Sequence, residues 1–158
     1  MARVSKTVAE IMDKDPVTVR VEDGIETVVG LLHDHQVPGL VVVGADDRVA
    51  GIITENDLLL YDEQEDVEPP PHLQIMGGVI YLGSVKHWEE RVRKSLARTV
   101  GDLMTSDPIT VGPDATAHEA GRLISNHRHN RLPVVDGEGR LLGVVTRVDV
   151  LEALLATE

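Results

Sequence analysis

Two short sequences place a hydroxyl and a carboxylate where a helix is expected to begin. They are Thr54-x-x-Asp57 and Thr146-x-x-Asp149. A carboxylate can accept hydrogen bonds from two neighbouring sugar hydroxyls, and a threonine hydroxyl beside free helix N–H groups can help to hold a phosphate. The same spacing is close to that of a capping box, which serves only the helix itself. Both interpretations are open at this point.

Other residue patterns that could carry chemistry are weaker. The sequences His33-x-His35 and His127-x-His129 suggest a metal site. However, residues two apart on a helix point to different sides, whereas helical ligand pairs usually lie four apart. We therefore predict no metal site and interpret these histidines as surface or capping residues.

The sequence also lacks the familiar catalytic motifs. It contains no GxGxxG or Walker loop, no GxSxG elbow and no HExxH. It offers neither a paired general acid and base nor an activated nucleophile. We predict no catalytic residue.

Composition narrows the class of protein further. The 158 residues include 27 acidic and 15 basic side chains, a formal charge of -12, 42% hydrophobic residues and no Cys. The missing Cys excludes disulfides, thiolate zinc sites and cysteine nucleophiles. The acidic balance argues against a nucleic-acid partner, and no apolar run is long enough to span a bilayer. Because the first residues carry acids where a secretory signal needs an apolar core, we expect a folded cytoplasmic protein.

An internal repeat organises the chain. Residues 7–59 match residues 99–151 at a constant offset of 92 without a gap, so that TVAEIMDKDPVTV corresponds to TVGDLMTSDPITV. This pattern predicts a first repeat over residues 7–60, a linker over 61–98 and a second repeat over 99–158.

Each repeat predicts the same elements. A short helix ends before Asp-Pro, a short β-run follows, and apolar residues at helical spacing predict the next helix. In the second repeat, Thr116 and Glu119 could form the capping box of that helix. A β-hairpin and a final helix complete a β-α-β-β-α unit. We predict an α/β (α+β) fold in which two such units pack sheet against sheet about a pseudo-twofold axis.

The linker interrupts this symmetry. It opens with an acidic, proline-rich stretch that predicts a surface loop, becomes apolar at IMGGVIYLG, and ends in a predicted helix. All three aromatic residues, Tyr61, Tyr81 and Trp88, lie in or beside it. We expect a linker packed against an edge of the core; a lid or partner surface is the alternative.

The tandem pattern resembles the CBS-domain pair, or Bateman module. The resemblance rests on the sequence Gly-hydrophobic-hydrophobic-Thr-x-x-Asp that closes each half and on LPVVD before the second copy. It covers nearly all of both halves. It implies a sensor and not a catalyst, with no obligatory cofactor, that binds an adenosine-containing ligand (AMP, ADP, ATP or S-adenosylmethionine) between the repeats. It also implies a disc-like homodimer.

The resemblance assigns roles to particular residues. Asp57 and Asp149 would hold ribose, and Thr54 and Thr146 would hold phosphate. Arg131 falls where related modules place a phosphate-contacting arginine. The remaining assigned ligand-binding residues are those of the expected adenine slots, Thr18, Val19, Thr110 and Val111, and those of a possible positive patch, Arg128, His129 and Arg147.

The two predicted clefts are unequal. Family members often hold ribose with one repeat and phosphate with the other, so Thr54 and Asp57 with Arg131 form the better nucleotide site. Thr146 and Asp149 face Pro38-Gly39, which offers no charge, and would suit an adenosyl group with little phosphate. A ligand-free dimerisation or docking module is the second hypothesis, and a nucleotide-acting enzyme is a weaker third.

Overall fold

The computed structural model describes residues 5–62, 69–89, 99–127 and 130–156. Its fold is the predicted mixture of helices and sheets in two repeated halves. In chain order the elements are α1 (Val8–Ile11), β1 (Thr18–Arg20), α2 (Ile25–His35), β2 (Gly39–Val43), β3 (Val49–Thr54), α3 (Glu55–Asp62), β4 (His72–Ile75), β5 (Gly78–Tyr81), α4 (residues 85–89), α5 (Val100–Leu103), β6 (Thr105–Ser106), α6 (Ala117–His127), β7 (Arg131–Val135), β8 (Leu141–Thr146) and α7 (Arg147–Leu155).

Five helices begin in the same way. Each follows a threonine whose main-chain N–H donates to an acidic side chain three residues later, which satisfies one of the free donors near the helix start. The predicted box of α6 is confirmed, because Thr116 N donates to Glu119 at 2.7 Å and Glu119 N donates back to Thr116 Oγ1 at 3.2 Å. The five pairs are Thr7/Glu10, Thr54/Asp57, Thr99/Asp102, Thr116/Glu119 and Thr146/Asp149.

The two sheets have equivalent hairpins. In the first half the strand order is β1-β2-β3-β6, with β1 parallel to β2 and the other pairs antiparallel. In the second half β7 pairs with β8, and both hairpins change register at equivalent residues, Val42/Val43 and Val134/Val135. The repeated irregularity shows that the similarity extends to backbone detail.

The predicted first strand of the second repeat is shorter than expected. It is reduced to one parallel bridge between Val111 and Val134. In the first half, Val21 N still donates to Val43 O at 3.3 Å after β1. Its counterpart is Pro113, which has no N–H to donate, so the ladder ends earlier.

The first helix of each repeat packs on the opposite half. Val8 N donates to Ala115 O, and the equivalent Val100 N donates to Asp23 O, both at 2.8 Å. The chain after each helix then joins the other half's hairpin: Asp13 bridges Val144, and Thr105 pairs with Ile52. Every one of these contacts recurs with the halves exchanged, which supports the predicted pseudo-twofold axis.

Each hydrophobic core contains residues from the first helix of the other repeat. One core lies in the first half and includes Val100 and Leu103 from α5, while the core of the second half includes Val8 from α1. A third cluster, Val41, Val43 and Val144, joins the two sheets face to face. The sheet-against-sheet packing therefore matches the prediction.

The linker differs from its expected packing. Residues 72–81 form a β-hairpin, and all eight strand residues are exposed. Met76 at its turn is fully exposed, as are large parts of Leu73 and Leu82. The expectation that this stretch packs against the core is wrong for these residues, because both faces of the hairpin are exposed.

The longest of the helices given above, α2 and α6, have 11 residues each. Within residues 5–62, 69–89, 99–127 and 130–156, none is long and apolar enough to cross a membrane.

Candidate functional site

The two Thr-x-x-Asp sequences begin α3 and α7, as the sequence predicts. Thr54 N donates to Asp57 Oδ2 at 2.9 Å, and Thr54 Oγ1 donates to the same oxygen at 3.2 Å. At the second copy, Thr146 N donates to Asp149 Oδ2 at 2.8 Å, and Asp149 N donates to Thr146 Oγ1 at 3.2 Å. Both pairs therefore cap their helices, and each uses only one carboxylate oxygen in the bonds described.

Burial separates these two pairs from the other three caps. The hydrogen bonds of Thr54/Asp57 and Thr146/Asp149 are partly buried, whereas those of the caps before α1, α5 and α6 are exposed. A partly buried carboxylate beside free helix N–H groups can bind a polar ligand away from bulk water, where hydrogen bonds are stronger. The Thr-to-acid spacing alone therefore does not identify a candidate ligand site. The partial burial of Thr54/Asp57 and Thr146/Asp149 distinguishes these two pairs from the other caps.

The glycine that opens each motif has a packing role. A Cβ atom on Gly51 would lie 2.5 Å from Thr105 O and 2.7 Å from the sulfur of Met104. A Cβ on Gly143 would collide in the same way with Asp13 O. Glycine is therefore required because the chain following the exchanged helix crosses directly over the strand. The spacing of the motif, which is the same in both copies, places Thr54 and Thr146 immediately beyond these crossings.

Arg131 connects the two halves. Its Nη1 donates to Gly39 O at 3.1 Å, and its half-buried guanidinium retains an Nε with no hydrogen-bond partner among the described residues. Burial lowers the pKa of Arg131 below its usual value, while the negative charge of Asp149 acts in the opposite direction. A buried donor without a partner is costly, so an anionic ligand here would gain a charge-assisted hydrogen bond.

Arg131 lies near residues of both Thr-Asp pairs. In the first hairpin Gly39 is the register partner of Thr54, and in the second Arg131 is the register partner of Thr146. Arg131 therefore contacts the main chain beside Thr54 and lies within electrostatic range of Asp149. Gly39 as an acceptor was not predicted; the offset of 92, which makes Gly39 the counterpart of Arg131, is the signal that identifies it.

Two of the four residues of the expected adenine slots are part of the hydrophobic cores. Val19 and Val111 are 1% and 6% exposed and lie in the two cores. The main chain of Val111 is also occupied, since its N–H donates to Pro133 O and its carbonyl accepts from Val135 N. Thr18 and Thr110 are half-buried, and Thr110 lines an open cavity of about 640 Å³ with Asp114 and Glu119. Neither is placed beside Arg131 by any hydrogen bond described.

Of the three residues of the predicted positive patch, the structure describes only Arg147. Arg147 lines a cavity of about 550 Å³ between α6 and α7, and its main-chain N–H donates to Asn130 O at 2.8 Å. Arg128 and His129 lie outside the described residues. Among the residues described, no group of three or more His, Asp and Glu side chains could hold a metal ion.

Comparison with known proteins gives a consistent family assignment. The model of the CBS domain matches residues 8–63 and 100–156. The uncharacterized protein MJ1426 of Methanocaldococcus jannaschii is 32% identical over 153 residues, which cover 94% of this chain and 90% of that protein. Inosine-5'-monophosphate dehydrogenase of Korarchaeum cryptofilum is 31% identical over 151 residues, or 95% of this chain, but the match spans only 25% of the dehydrogenase.

A solved structure also matches along nearly the whole chain. It is that of CBSX2, an Arabidopsis thaliana protein, in complex with AMP. It has a TM-score of 0.73 and 27% sequence identity, and the match covers 95% of this chain and 96% of that one. The exchanged helices and paired sheets described above thus occur in a chain whose fold is similar to that of an AMP-bound protein.

Proposed function

The chain belongs to the CBS-domain family, and from that premise we propose that it is a cytoplasmic regulatory module, not an enzyme, that binds an adenosine-containing ligand between its two repeats. The ligand is AMP, ADP, ATP or S-adenosylmethionine. Binding alters a homodimer or partner surface. The observation that carries this proposal is Arg131, a half-buried cation that contacts the other half and whose Nε has no hydrogen-bond partner among the described residues.

The better site uses both halves. Asp57 Oδ1 and Oδ2 accept from the ribose hydroxyls, Thr54 and the first N–H groups of α3 hold a phosphate, and Arg131 neutralises its charge. The protein carries a formal charge of -12, so an anion depends on this local cation. The likeness to AMP-bound CBSX2 supports AMP as the first ligand to test.

The cap gives a route from ligand to surface. Asp57 Oδ2 already accepts two hydrogen bonds from Thr54, so a ligand that recruits this carboxylate competes with the cap of α3. The same first turn carries Glu55, which lines the groove between α2 and α3. A change at the cap is therefore transmitted directly to the outer face of the helix. Such coupling requires that the ligand bind two states with different affinity.

A calorimetric titration tests the proposal. AMP, ADP, ATP, S-adenosylmethionine and NAD are titrated into the wild type, Arg131→Ala and Arg20→Ala. Arg20 is an exposed arginine paired with Glu22 and serves as the matched control for loss of one positive charge. We expect micromolar binding of at least one adenosine ligand, weakened at least tenfold in Arg131→Ala and unchanged in Arg20→Ala. Absence of binding across the whole panel would refute the sensor function.

A ligand-independent dimerisation or docking module is the second candidate. The exposed hairpin of residues 72–81 favours it, because a two-stranded hairpin with apolar residues on exposed faces is marginally stable alone. Removing its apolar side chains with Leu73→Ser and Ile80→Ser separates the candidates. Loss of partner or dimer formation with unchanged nucleotide binding supports docking, and the reverse result supports the sensor.

A further inference from the structure

Two methionines lie at equivalent crossings of the two halves. The offset of 92 maps Met12 to Met104, and each directly follows the first helix of its repeat. A Cβ added to Gly51 would lie 2.7 Å from Met104 Sδ, and one added to Gly143 would lie 2.8 Å from Met12 Sδ. Each sulfur therefore lies directly against the main chain of the opposite half. We call the contact of Met104 with Gly51 the first crossing and that of Met12 with Gly143 the second crossing.

The main chain beside each sulfur joins the two halves. At the first crossing, Thr105 pairs with Ile52 between β6 and β3. At the second crossing, Asp13 N donates to Val144 O at 2.8 Å, and Val144 N donates to Asp13 O at 2.9 Å. Each methionine thus lies one residue before the main-chain pairing that holds the segment after an exchanged helix on the hairpin of the other half.

Both methionines also contact a hydrophobic core. Met104 packs against the core of the first half, and Met12 packs against that of the second. Both residues are nevertheless partly exposed to solvent, which gives a small oxidant access to them. Oxidation converts an apolar thioether into a polar sulfoxide, which disrupts packing where the sulfur lies between a core and a strand.

Methionine is the only sulfur-containing residue of this chain. The sequence has four methionines and no cysteine. Met76, at the turn of the hairpin of residues 72–81, is fully exposed. Its oxidation changes a side chain in open solvent, whereas oxidation of Met12 or Met104 changes a contact between the halves. The molecule therefore carries its own reference for oxidation without structural consequence.

We propose that Met12 and Met104 form a paired modification site for hydroperoxides, at which oxidation to the sulfoxide loosens both crossings. A lone pair of the thioether sulfur attacks one oxygen of hydrogen peroxide, the O–O bond breaks, and an S–O bond forms. The sulfur loses two electrons and the peroxide gains them. The leaving oxygen takes up the proton of the transferred oxygen and departs as water.

The effect of oxidation reaches the candidate site through two short stretches of strand. Thr54 ends β3 three residues after Gly51, and Thr146 ends β8 three residues after Gly143. A crossing that opens removes the segment that packs on the strand before each threonine cap. The modification site rests on the crossings and not on nucleotide binding, so its test is carried out without nucleotide and is separate from that of the proposed function.

Titration with hydrogen peroxide tests the site. Wild type, the double variant Met12→Leu/Met104→Leu, and Met76→Leu are treated in the folded state. Peptide mass spectrometry gives the extent of sulfoxide formation at each methionine, and thermal unfolding and amide hydrogen exchange are measured before and after treatment. Leucine keeps the apolar volume without the sulfur, so the double variant is expected to fold. Met76→Leu is the matched control for loss of an exposed sulfur.

We expect oxidation to lower the unfolding temperature of the wild type and of Met76→Leu by at least about 5 °C, and to leave that of the double variant unchanged. We expect amide exchange to rise in residues 12–14 and in β6 more than in α2 and α6. Unchanged stability after full conversion of Met12 and Met104 would overturn the proposal. So would their resistance to about ten times the peroxide that converts Met76, or an equal rise of exchange in α2 and α6.

Enzymatic reduction gives a second readout that needs no variant. Methionine sulfoxide reductases of both stereospecificities are added to the oxidised wild type, and mass spectrometry follows the return of the thioethers at Met12 and Met104. We expect the unfolding temperature to recover in proportion to that return. A loss of stability that persisted after both sulfurs were reduced would assign the effect to other oxidised groups and would also overturn the proposal.

Discussion

The two halves of the molecule have equivalent hairpins but differ in the residues at the start of β2 and of its counterpart β7. Pro38 and Gly39 lead into β2, whereas Asn130 and Arg131 lead into β7 at equivalent positions. The main-chain contacts to the following helix are the same, since Glu55 N donates to Pro38 O and Arg147 N donates to Asn130 O. The two halves therefore share these main-chain contacts, while Arg131 places a cation in the second half where the first half has Gly39.

The inequality is best tested at the two aspartates. We expect Asp57→Ala to weaken AMP binding about a hundredfold, since it removes charge-assisted hydrogen bonds to ribose. We expect Asp149→Ala to weaken it less than about fivefold, since the proposed AMP site holds the ribose with Asp57, and Asp149 acts on this site only through its charge effect on Arg131. Calorimetric titration measures both. Each variant also removes the carboxylate that accepts from the threonine N–H at a helix start, at a cost of about 0.5–2 kcal/mol, so urea denaturation of both variants is the control that each remains folded. A larger effect of Asp149→Ala would reverse the assignment of the clefts.

The motif glycines provide a comparison in which the halves should behave alike. A Cβ at Gly51 or Gly143 would collide with the chain that follows the opposite half's first helix. We expect Gly51→Ala and Gly143→Ala each to lower the free energy of unfolding by about 1–3 kcal/mol through this overpacking. Urea denaturation measures the loss.

Gly112→Ala is the matched control for this comparison, because Gly112 is exposed and has nothing within 4 Å of an added Cβ. We expect it to be close to neutral. Unchanged stability in both Gly51→Ala and Gly143→Ala would contradict the close crossing of the halves.

The sequence alone predicted the fold class and the two equivalent halves of the molecule. The constant offset of 92 and the helical and hairpin patterns predicted the paired units, because local propensity and burial agree along both copies. The exchange of α1 and α5 was not predicted: Val8 and Val100 mark buried helical positions, but periodicity does not say which core receives them. The exposure of the hairpin at residues 72–81 was also not predicted. Its apolar composition resembles that of a buried segment.

The candidate site was predicted in part. The Thr-x-x-Asp spacing predicted the starts of α3 and α7, but the described residues include three further threonine caps of the same spacing, so spacing does not distinguish a ligand site from a cap. The contact of Arg131 with Gly39 depends on the approach of two chain segments 92 residues apart. Such an approach is a property of the assembled halves and leaves no local pattern.

The two threonine caps differ in one hydrogen bond. Thr146 Oγ1 accepts from Asp149 N at 3.2 Å, whereas Thr54 Oγ1 donates to Asp57 Oδ2 at the same distance. We expect Thr146→Ala to lower the free energy of unfolding by about 1 kcal/mol, because it leaves a helix N–H unsatisfied. Thr54→Ala should cost less, about a few tenths of a kcal/mol, because the hydrogen bond described for Thr54 Oγ1 goes to the Asp57 carboxylate and not to a helix N–H. Urea denaturation in the absence of nucleotide measures the difference, and equal losses would show that the two caps are interchangeable.

The smallest expected difference lies in the hairpin turns. Asp136 N donates to Arg140 O as Gly44 N donates to Arg48 O, and because Gly44 is the counterpart of Asp136, only the second turn has a carboxylate at this first position. The main-chain N–H groups of Arg140 and Glu138 lower the pKa of Asp136 below its usual 3.8, assisted by the side chain of Arg140. A folded-state pKa below the unfolded one means that the carboxylate stabilises the protein above pH 3.8 and loses this effect as the pH falls through the lowered value. We therefore expect the stability of Asp136→Asn to fall below that of the wild type at neutral pH and to converge with it in acid. Denaturation at a series of pH values measures this; a difference that stayed constant with pH would mean that the turn depends on the shape of the side chain and not on its charge.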